Sequence, residues 1–266
     1  MLDVAVKKDP YVLYSCYTEK SREAESFVPF HVFNHVIAGT LRLRLGNELI
    51  NVQAGESILL KRNQLVKATK LPPENGEFRS MSVYLDEPAL RAFSEEYHIA
   101  PGKPYDGPSF FQLHTDPMYD SYVESLGSYL SEPSNEALTS LKVKEAILLL
   151  LKIDNNVRSM LFDFNNPARI DLETYMNNNY TFNVDLKRFA YLTGRSLATF
   201  KRDFDKVFHT SPSRWLQQRR LQEAYRLIKD QKRRPSDVYL EVGFEDLSHF
   251  SFAFKKSFGV APSMVS

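Results

Sequence analysis

The sequence predicts an α+β chain of two domains. The first is antiparallel and β-rich, with a helical hairpin; the second is all-α and carries two helix-turn-helix motifs. Three observations predict this. Phe200, Phe204 and Phe208 are spaced by four, and Phe250, Phe254 and Phe258 repeat that spacing fifty residues later. Residues 11–85 read instead as short alternating runs separated by Gly and Asn turns. Finally, a formal net charge of +1 conceals a division. Residues 166–266 hold 17 Lys and Arg against 11 Asp and Glu, whereas the preceding residues hold 17 against 22. A length of 266 residues suits two domains, expected at 1–163 and 164–266.

In chain order, alternation and β-branched or aromatic residues predict strands over 11–18, 27–37, 40–45, 48–52, 57–61 and 78–85. Turns fall at Gly39, Gly46-Asn47, Ala54-Gly55 and Glu74-Asn75-Gly76. Many short strands with close turns make a small antiparallel barrel or sandwich. A short helix is expected at 88–97, and Pro101-Gly102, Pro104 and Gly107-Pro108 mark a loop. Two helices follow, from about Pro117 to Leu130 and from about Asn135 to Ile153. On the second, Leu141, Glu145, Leu148, Leu149 and Lys152 lie along one side. That side either joins two copies of the chain or covers the barrel; an apolar run wrapping more than one face favours the dimer. The linker contains Met160, Leu161, Phe162 and Phe164, which is too apolar for a free tether.

Residues 168–178 open the second domain as a helix, with Leu172, Tyr175 and Met176 inward. Each Phe triplet then lies on one buried helix face, joined by Leu197 and Val207 in the first copy and by Leu247 and Ala253 in the second. Gly194 and Gly243 precede the two helices, and shorter apolar-periodic segments, 184–192 and 236–242, precede the glycines. Helix, Gly turn, helix is the helix-turn-helix plan. Ser196 and Asp246 stand where N-caps belong. Between the copies, Ser211 and Pro212 open a helix over 212–230. A rod of that length spans about 28 Å, enough to hold two recognition helices about one DNA turn, roughly 34 Å, apart.

At this point a resemblance becomes specific. Residues 168–266 resemble the DNA-binding domain of the AraC/XylS family of bacterial transcription regulators. The match is carried by Phe200-Lys201-Arg202-Asp203-Phe204, Ser211-Pro212 with Trp215, and Arg220-Leu221 with Ala224. It continues through Gly243-Phe244-Glu245-Asp246, Ser248-His249-Phe250, Phe254-Lys255-Lys256 and Phe258-Gly259-Val260-Ala261-Pro262-Ser263. Two positions depart from the family pattern: Tyr239 stands where Ala usually packs, and Phe252 where a polar or basic residue is common. The run Val36 to Leu41, followed by Ala54 to Leu60, is similar to the cupin-like sensor domain at the N-terminus of many such regulators. The resemblance implies a cupin-like barrel, a helical hairpin that dimerises it, and double-stranded DNA as a partner.

Opposite the first Phe stripe lie Ser196, Ala198, Thr199, Lys201, Arg202 and Asp205. Arg and Lys donate to guanine O6 and N7, and Ala and Thr methyls meet thymine methyls. Ala198, Lys201 and Arg202 match family positions that face bases; the other reading gives Lys201 and Arg202 phosphates only. The second helix offers Ser248, His249, Ser251, Phe252, Lys255 and Lys256, a set suited to docking on the backbone. Arg195, Lys206, Arg214, Arg219, Arg233 and Arg234 are further phosphate candidates.

Enzymatic and membrane classes find little support. On a strand His31 and His35 share a face, which would let both point inward. The next histidine is His98, at the end of an expected helix, so a third metal ligand is missing and no cofactor is assigned. Cys16 is the single cysteine, which points to a reducing compartment. Lys7, Lys8 and Asp9 interrupt any secretory apolar region. The run Ala146 to Leu151 is too short to cross a bilayer. The expectation is a cytoplasmic, non-enzymatic transcription regulator. It binds DNA as a homodimer, with RNA polymerase a candidate partner, and a small molecule or a partner protein acts on its N-terminal domain. The rival expectation is a metal-dependent cupin enzyme fused to a DNA-binding module.

Overall fold

A computed structural model describes residues 12–21, 24–100, 104–113, 116–130 and 136–265. Lys7, Lys8 and Asp9, the turn at Pro101-Gly102 and the helix start at Asn135 lie outside the described residues. The chain divides into two compact units, Met1–Asn165 and Asn166–Ser266.

Among the described residues, the first unit opens with eight strands: β1 (Val12–Tyr17), β2 (Ala24–Val28), β3 (His31–Ala38), β4 (Thr40–Leu45), β5 (Glu48–Gln53), β6 (Ser57–Leu60), β7 (Gln64–Leu71) and β8 (Phe78–Leu85). Helix α1 (Glu87–Glu96) and strand β9 (Phe110–Leu113) follow. Helices α2 (Pro117–Leu130), α3 (Glu136–Leu150) and α4 (Asn155–Leu161) complete it. The strands form two antiparallel sheets, ordered β1-β8-β3-β6-β9 and β2-β7-β4-β5. Among the described residues no ladder joins the two, so of the two alternatives expected, barrel or sandwich, the sheets form an open sandwich, and the cupin-like barrel is not closed. The reason lies in the connections. Pro29-Phe30 splits the expected run 27–37 into β2 and β3, which enter different sheets, and of the successive strands only β4 and β5 pair as a hairpin.

Alternation gives the five-stranded sheet two apolar faces. Val32, Val36, Ile58, Leu60 and Phe78 meet Leu41, Leu43, Ile50 and Val52 of the other sheet. Phe33, Leu59, Met81, Val83 and Leu85 face a layer made by the four helices. Both sides are therefore closed to water, and the hydrophobic effect holds three layers together.

Helix α4 was not expected. Asp154 does end the preceding helical segment, but its carboxylate then accepts from Asn156 N–H at 2.7 Å and starts a new helix. Met160, Leu161 and Phe162 are buried in the helix-facing core, with the Phe162 ring 6.2 Å from that of Phe93. The end of the unit is fastened by Arg62, which pairs with Glu87 at 2.6 Å and donates to Asp163 O and Asn165 O at 2.7 and 2.9 Å. The supposed linker is thus part of the first unit's core.

The second unit contains α5 (Leu172–Asn179), α6 (Leu186–Leu192), α7 (Leu197–Phe208), α8 (Pro212–Gln231), α9 (Pro235–Glu241) and α10 (Leu247–Phe258). Side chains of Asp171, Asp185, Ser196 and Asp246 cap α5, α6, α7 and α10. Ser211 occupies the cap position of α8 without a side-chain bond; Pro212 supplies the preset first turn. The two Phe ladders pack on opposite ends of α8. Trp215 lies 4.6 Å from Phe208, and Tyr225 lies 4.8 Å from Phe258, as ring centroids. Ten residues separate the two aromatics, about 15 Å along the axis. Val207 and Leu247 depart from expectation: they are 41% and 39% exposed, at the edge of each ladder rather than in it.

Candidate nucleic-acid interface

Helices α6 and α7 form the first helix-turn-helix motif, and α9 and α10 the second. Each turn needs its glycine. Gly194 has φ +66, and a Cβ there would come within 2.5 Å of Ala168 O. Gly243 has φ +96, and a Cβ there would come equally close to Thr181 O. Positive φ and close backbone approach together exclude a side chain at either position.

On α7, Ser196, Ala198, Lys201, Arg202 and Lys206 are exposed and Thr199 is half-exposed, on the side away from buried Phe200 and Phe204. Ser196 Oγ accepts from Thr199 N–H at 3.2 Å and lies 3.0 Å from Thr199 Oγ1, so two polar groups at the helix start are held in place. On α10, Ser248, His249, Phe252, Lys255 and Lys256 are exposed and Ser251 is half-exposed. The His249 ring sits 5.7 Å from Phe244, which restricts its reach. Tyr239 is half-buried, with its ring 6.5 Å from Phe250, so the larger residue is accommodated by ring packing.

Arg195 is a correction. Its side chain is only 7% exposed. It donates to Ile170 O at 3.0 Å, to Thr193 O at 2.6 Å and to Asp203 Oδ2 at 3.2 Å. Arg169 reaches the same carboxylate oxygen at 2.6 Å, and Arg202 approaches the other at 3.4 Å. Partial burial pushes the Asp203 carboxyl up. The bond from Arg195 and the charges of Arg169 and Arg202 outweigh that and hold it below the ordinary range. The guanidinium of Arg195 therefore ties the turn to α7 instead of facing outward. The sequence signal for this was available: Arg195 and Asp203 are eight residues apart, across the turn and two helical turns.

Arg220 plays the corresponding part on α8. Its three nitrogens donate to Tyr180 O, Gly243 O and Phe182 O at 2.8, 2.9 and 2.8 Å. Among the other phosphate candidates, Arg214 and Arg234 are exposed. Arg219 lies over the Tyr180 ring at 5.2 Å, and Arg233 pairs with Glu241.

In the first unit, His31 and His35 lie with Phe33 on the helix-facing side of β3, not between the sheets. This corrects the inward placement, because alternation puts Val32, Asn34 and Val36 inside. His31 Nδ1 accepts from Arg62 N–H at 3.3 Å. Burial, then the charges of Arg62 and Lys61, lower its pKa to about 3. His35 bonds Ser57 Oγ at 2.9 Å and lies 3.6 Å from Asp120; burial lowers its pKa, and Asp120 opposes the shift. His98 follows the end of α1 with φ +52, outside any helix. The polar groups between the sheets are different ones. Asn34 donates to Ser82 Oγ at 2.8 Å, and Lys70 donates to Ser15 Oγ at 3.1 Å, with its ammonium 4.1 Å from the Tyr17 ring centre.

On α3, Val143, Ala146, Ile147 and Leu150 are buried toward the sheet. Leu141 and Leu148 are 59% and 42% exposed; Glu145 and Lys152 are exposed, and Leu149 is half-buried. No helix among the described residues is long and apolar enough to cross a membrane.

Comparison with known proteins covers both units. The family described as "Helix-turn-helix domain" matches residues 189–266, and the family described as "ExsA N-terminal regulatory domain" matches residues 31–162. The virulence regulon transcriptional activator VirF of Yersinia enterocolitica is 30% identical over 154 residues, covering 57% of each chain. The HTH-type transcriptional regulator ExsA of Pseudomonas aeruginosa is 25% identical over 215 residues, covering 79% of this chain and 76% of the other. The chain thus spans 57% of the length of the first of these relatives. Among solved structures, fatty-acid-bound ToxT from Vibrio cholerae aligns over 97% of this chain and 94% of its own, with 14% identity and a TM-score of 0.46.

Proposed function

We propose that this chain is a member of the AraC family of helix-turn-helix proteins and a sequence-specific transcription regulator that binds double-stranded DNA and answers to its N-terminal unit. The observation that carries the proposal is the pairing of two helix-turn-helix motifs on one rod. Helix α8, 20 residues long, spans about 30 Å, close to the roughly 34 Å between successive major-groove entries on one face of DNA. The outer faces of α7 and α10 carry donors and cations suited to base edges and phosphates.

Within this proposal Ala198, Thr199, Lys201 and Arg202 face bases, while Ser196 and Lys206 meet the backbone. Ser248, His249, Ser251 and Lys255 dock α10. Arg195 acts by positioning α7. The exposed side of α3, with Leu141, Glu145, Leu148 and Leu149, together with Lys152 just beyond its end, joins two copies. A small molecule or a partner protein acts on the first unit, where Asn34, Ser82, Ser15 and Lys70 place polar groups between the sheets. RNA polymerase is the further partner of such a regulator, the cytoplasm is its compartment, and no catalytic step is assigned to it.

Selection of bound sequences from a random DNA pool, followed by titration against salt, tests the proposal. If six phosphates are neutralised, the log–log slope is about −5. Failure to enrich any sequence, or affinity independent of salt, counts against it. Sedimentation of Leu148→Glu tests the dimer: self-association equal to that of the parent chain moves the interface elsewhere.

A further inference from the structure

The outward side of α10 contains one residue that neither its packing nor its charge pattern explains. Phe252 is 70% exposed, although it sits among phenylalanines that are buried. The inner ladder is complete without it: Phe250, Ala253 and Phe254 are buried, and Phe258 closes the end against Tyr225. One turn back stand Ser248 and His249, one turn on stands Lys256, and Lys255 flanks it; all four are exposed. Helix α10 contains no Asp or Glu. The ring is therefore a lone apolar knob on a helix face that is otherwise polar and cationic.

We propose that Phe252 is a specificity-determining residue that recognises a thymine through its C5 methyl group in the major groove. The inference rests on the DNA-binding proposal and deepens it for the second motif. In the major groove thymine differs from cytosine by its O4 acceptor and by a methyl group that only an apolar surface can recognise. A phenyl ring has no donor or acceptor, so the methyl is what it reads. The cations beside it supply the rest: Lys255 and Lys256 meet phosphates and hold the ring in the groove. A protein-binding knob would sit in different surroundings, because the centres of protein interfaces are depleted of charge. Here the nearest outward neighbours are two lysines, a serine and a histidine. Discrimination by α10 then comes from a single apolar contact, and discrimination by α7 comes from hydrogen bonding.

Deoxyuridine differs from thymidine only in lacking this methyl, which gives a direct test. The full chain is used to enrich a sequence from a random duplex pool. Each thymine of the enriched duplex is then replaced singly by uracil. One or two replacements are expected to weaken binding about fourfold, the value for one buried methyl group. Phe252→Ala is expected to weaken binding to the thymine duplex at least as much and to bind thymine and uracil duplexes equally. Phe252→Leu is expected to retain part of the difference. Because the residue is exposed, both variants are expected to melt at the parent temperature, which separates lost contact from lost fold. An enriched duplex on which uracil costs nothing, or costs the same with Phe252→Ala, overturns this inference and leaves the DNA-binding proposal standing. Unchanged DNA affinity of Phe252→Ala together with lost transcriptional output also overturns it, and assigns the ring to a protein. Failure to enrich any sequence overturns the DNA-binding proposal itself and this inference with it.

Discussion

Arg220 Nη1 donates to the carbonyl of Gly243 at 2.9 Å, so a side chain on the long rod closes the turn of the second motif. The same guanidinium holds Tyr180 O and Phe182 O, in the loop between α5 and α6. One planar cation thereby joins the entry to the first motif to the turn of the second. A lysine has the charge without the fork.

Removing Arg220 strands three carbonyls. Arg220→Ala is expected to destabilise the 166–266 unit by about 2–4 kcal/mol, within the range for a broken buried network. Arg220→Lys should recover less than half of that. Urea unfolding of the two variants measures both; a loss below about 1 kcal/mol for Arg220→Ala would show that the clamp is dispensable.

The basic residues of α7 should separate into two behaviours. Lys201→Ala or Arg202→Ala is expected to cost roughly 1–3 kcal/mol of affinity for the selected site and to relax preference at one or two base pairs. Ser248→Ala should cost less and alter preference little. Arg195→Ala should lower the melting temperature of the unit and weaken all sequences alike, because its side chain is spent on Asp203, Ile170 O and Thr193 O. Binding titrations on matched and mismatched duplexes, run beside thermal melts, distinguish the two.

Leu161 and Phe162 invite substitution as connectors, since they end the first unit. Their complete burial changes what such variants report. Phe162→Ser leaves a cavity beside Phe93 and buries a hydroxyl, at an expected cost of about 3–5 kcal/mol. The helix-facing core should loosen and the N-terminal unit become protease-sensitive, whether or not an effector is present. A variant that stays fully folded yet loses effector control would instead assign Phe162 to coupling.

His31 ties stability to acid. Its folded pKa is depressed to about 3, while the unfolded value is near the ordinary 6.5. The unfolded chain therefore binds the proton first as pH falls. The contribution is complete above about pH 6.5 and declines from there toward pH 3, by up to about 1.4 kcal/mol per pH unit. His35 shifts in the same direction. Melts between pH 7 and 5 should show falling stability. His31→Asn, which keeps an acceptor for Arg62 N–H, should flatten the slope; an unaltered slope would place the acid sensitivity elsewhere.

The helical half was legible because its signals are local. Four-residue Phe spacing, two glycines, the caps Ser196 and Asp246 and the helix-opening Pro212 each act within a few positions, and α6 to α10 follow from them. The β half was legible only in part. Lys67 and Lys70 interrupt the apolar residues of β7, so alternation did not mark it, and the two sheets depend on pairings such as Val12 with Val83 that no local pattern encodes. Helix α4 was hidden because Asp154 both ends one helical segment and starts the next. At the interface, exposed positions followed from helical periodicity. The inward turn of Arg195 did not: its spacing from Asp203 carried the only signal, and its bonds to the carbonyls of Ile170 and Thr193 follow from tertiary placement.

The placement of Met160, Leu161 and Phe162 bears on how the chain is made. These residues fill the core above Leu59, Met81 and Val83, yet they leave the ribosome some eighty residues after β8. At about 5–20 residues per second, the sheet waits several seconds for its last helix. During that interval its apolar face is open to chaperones and to other nascent chains. The helical unit pairs mostly with its own sequence neighbours and has no such delay. Yield in the cell should therefore be limited by the first half of the gene product, and slower translation just after codon 85 would lengthen the exposure.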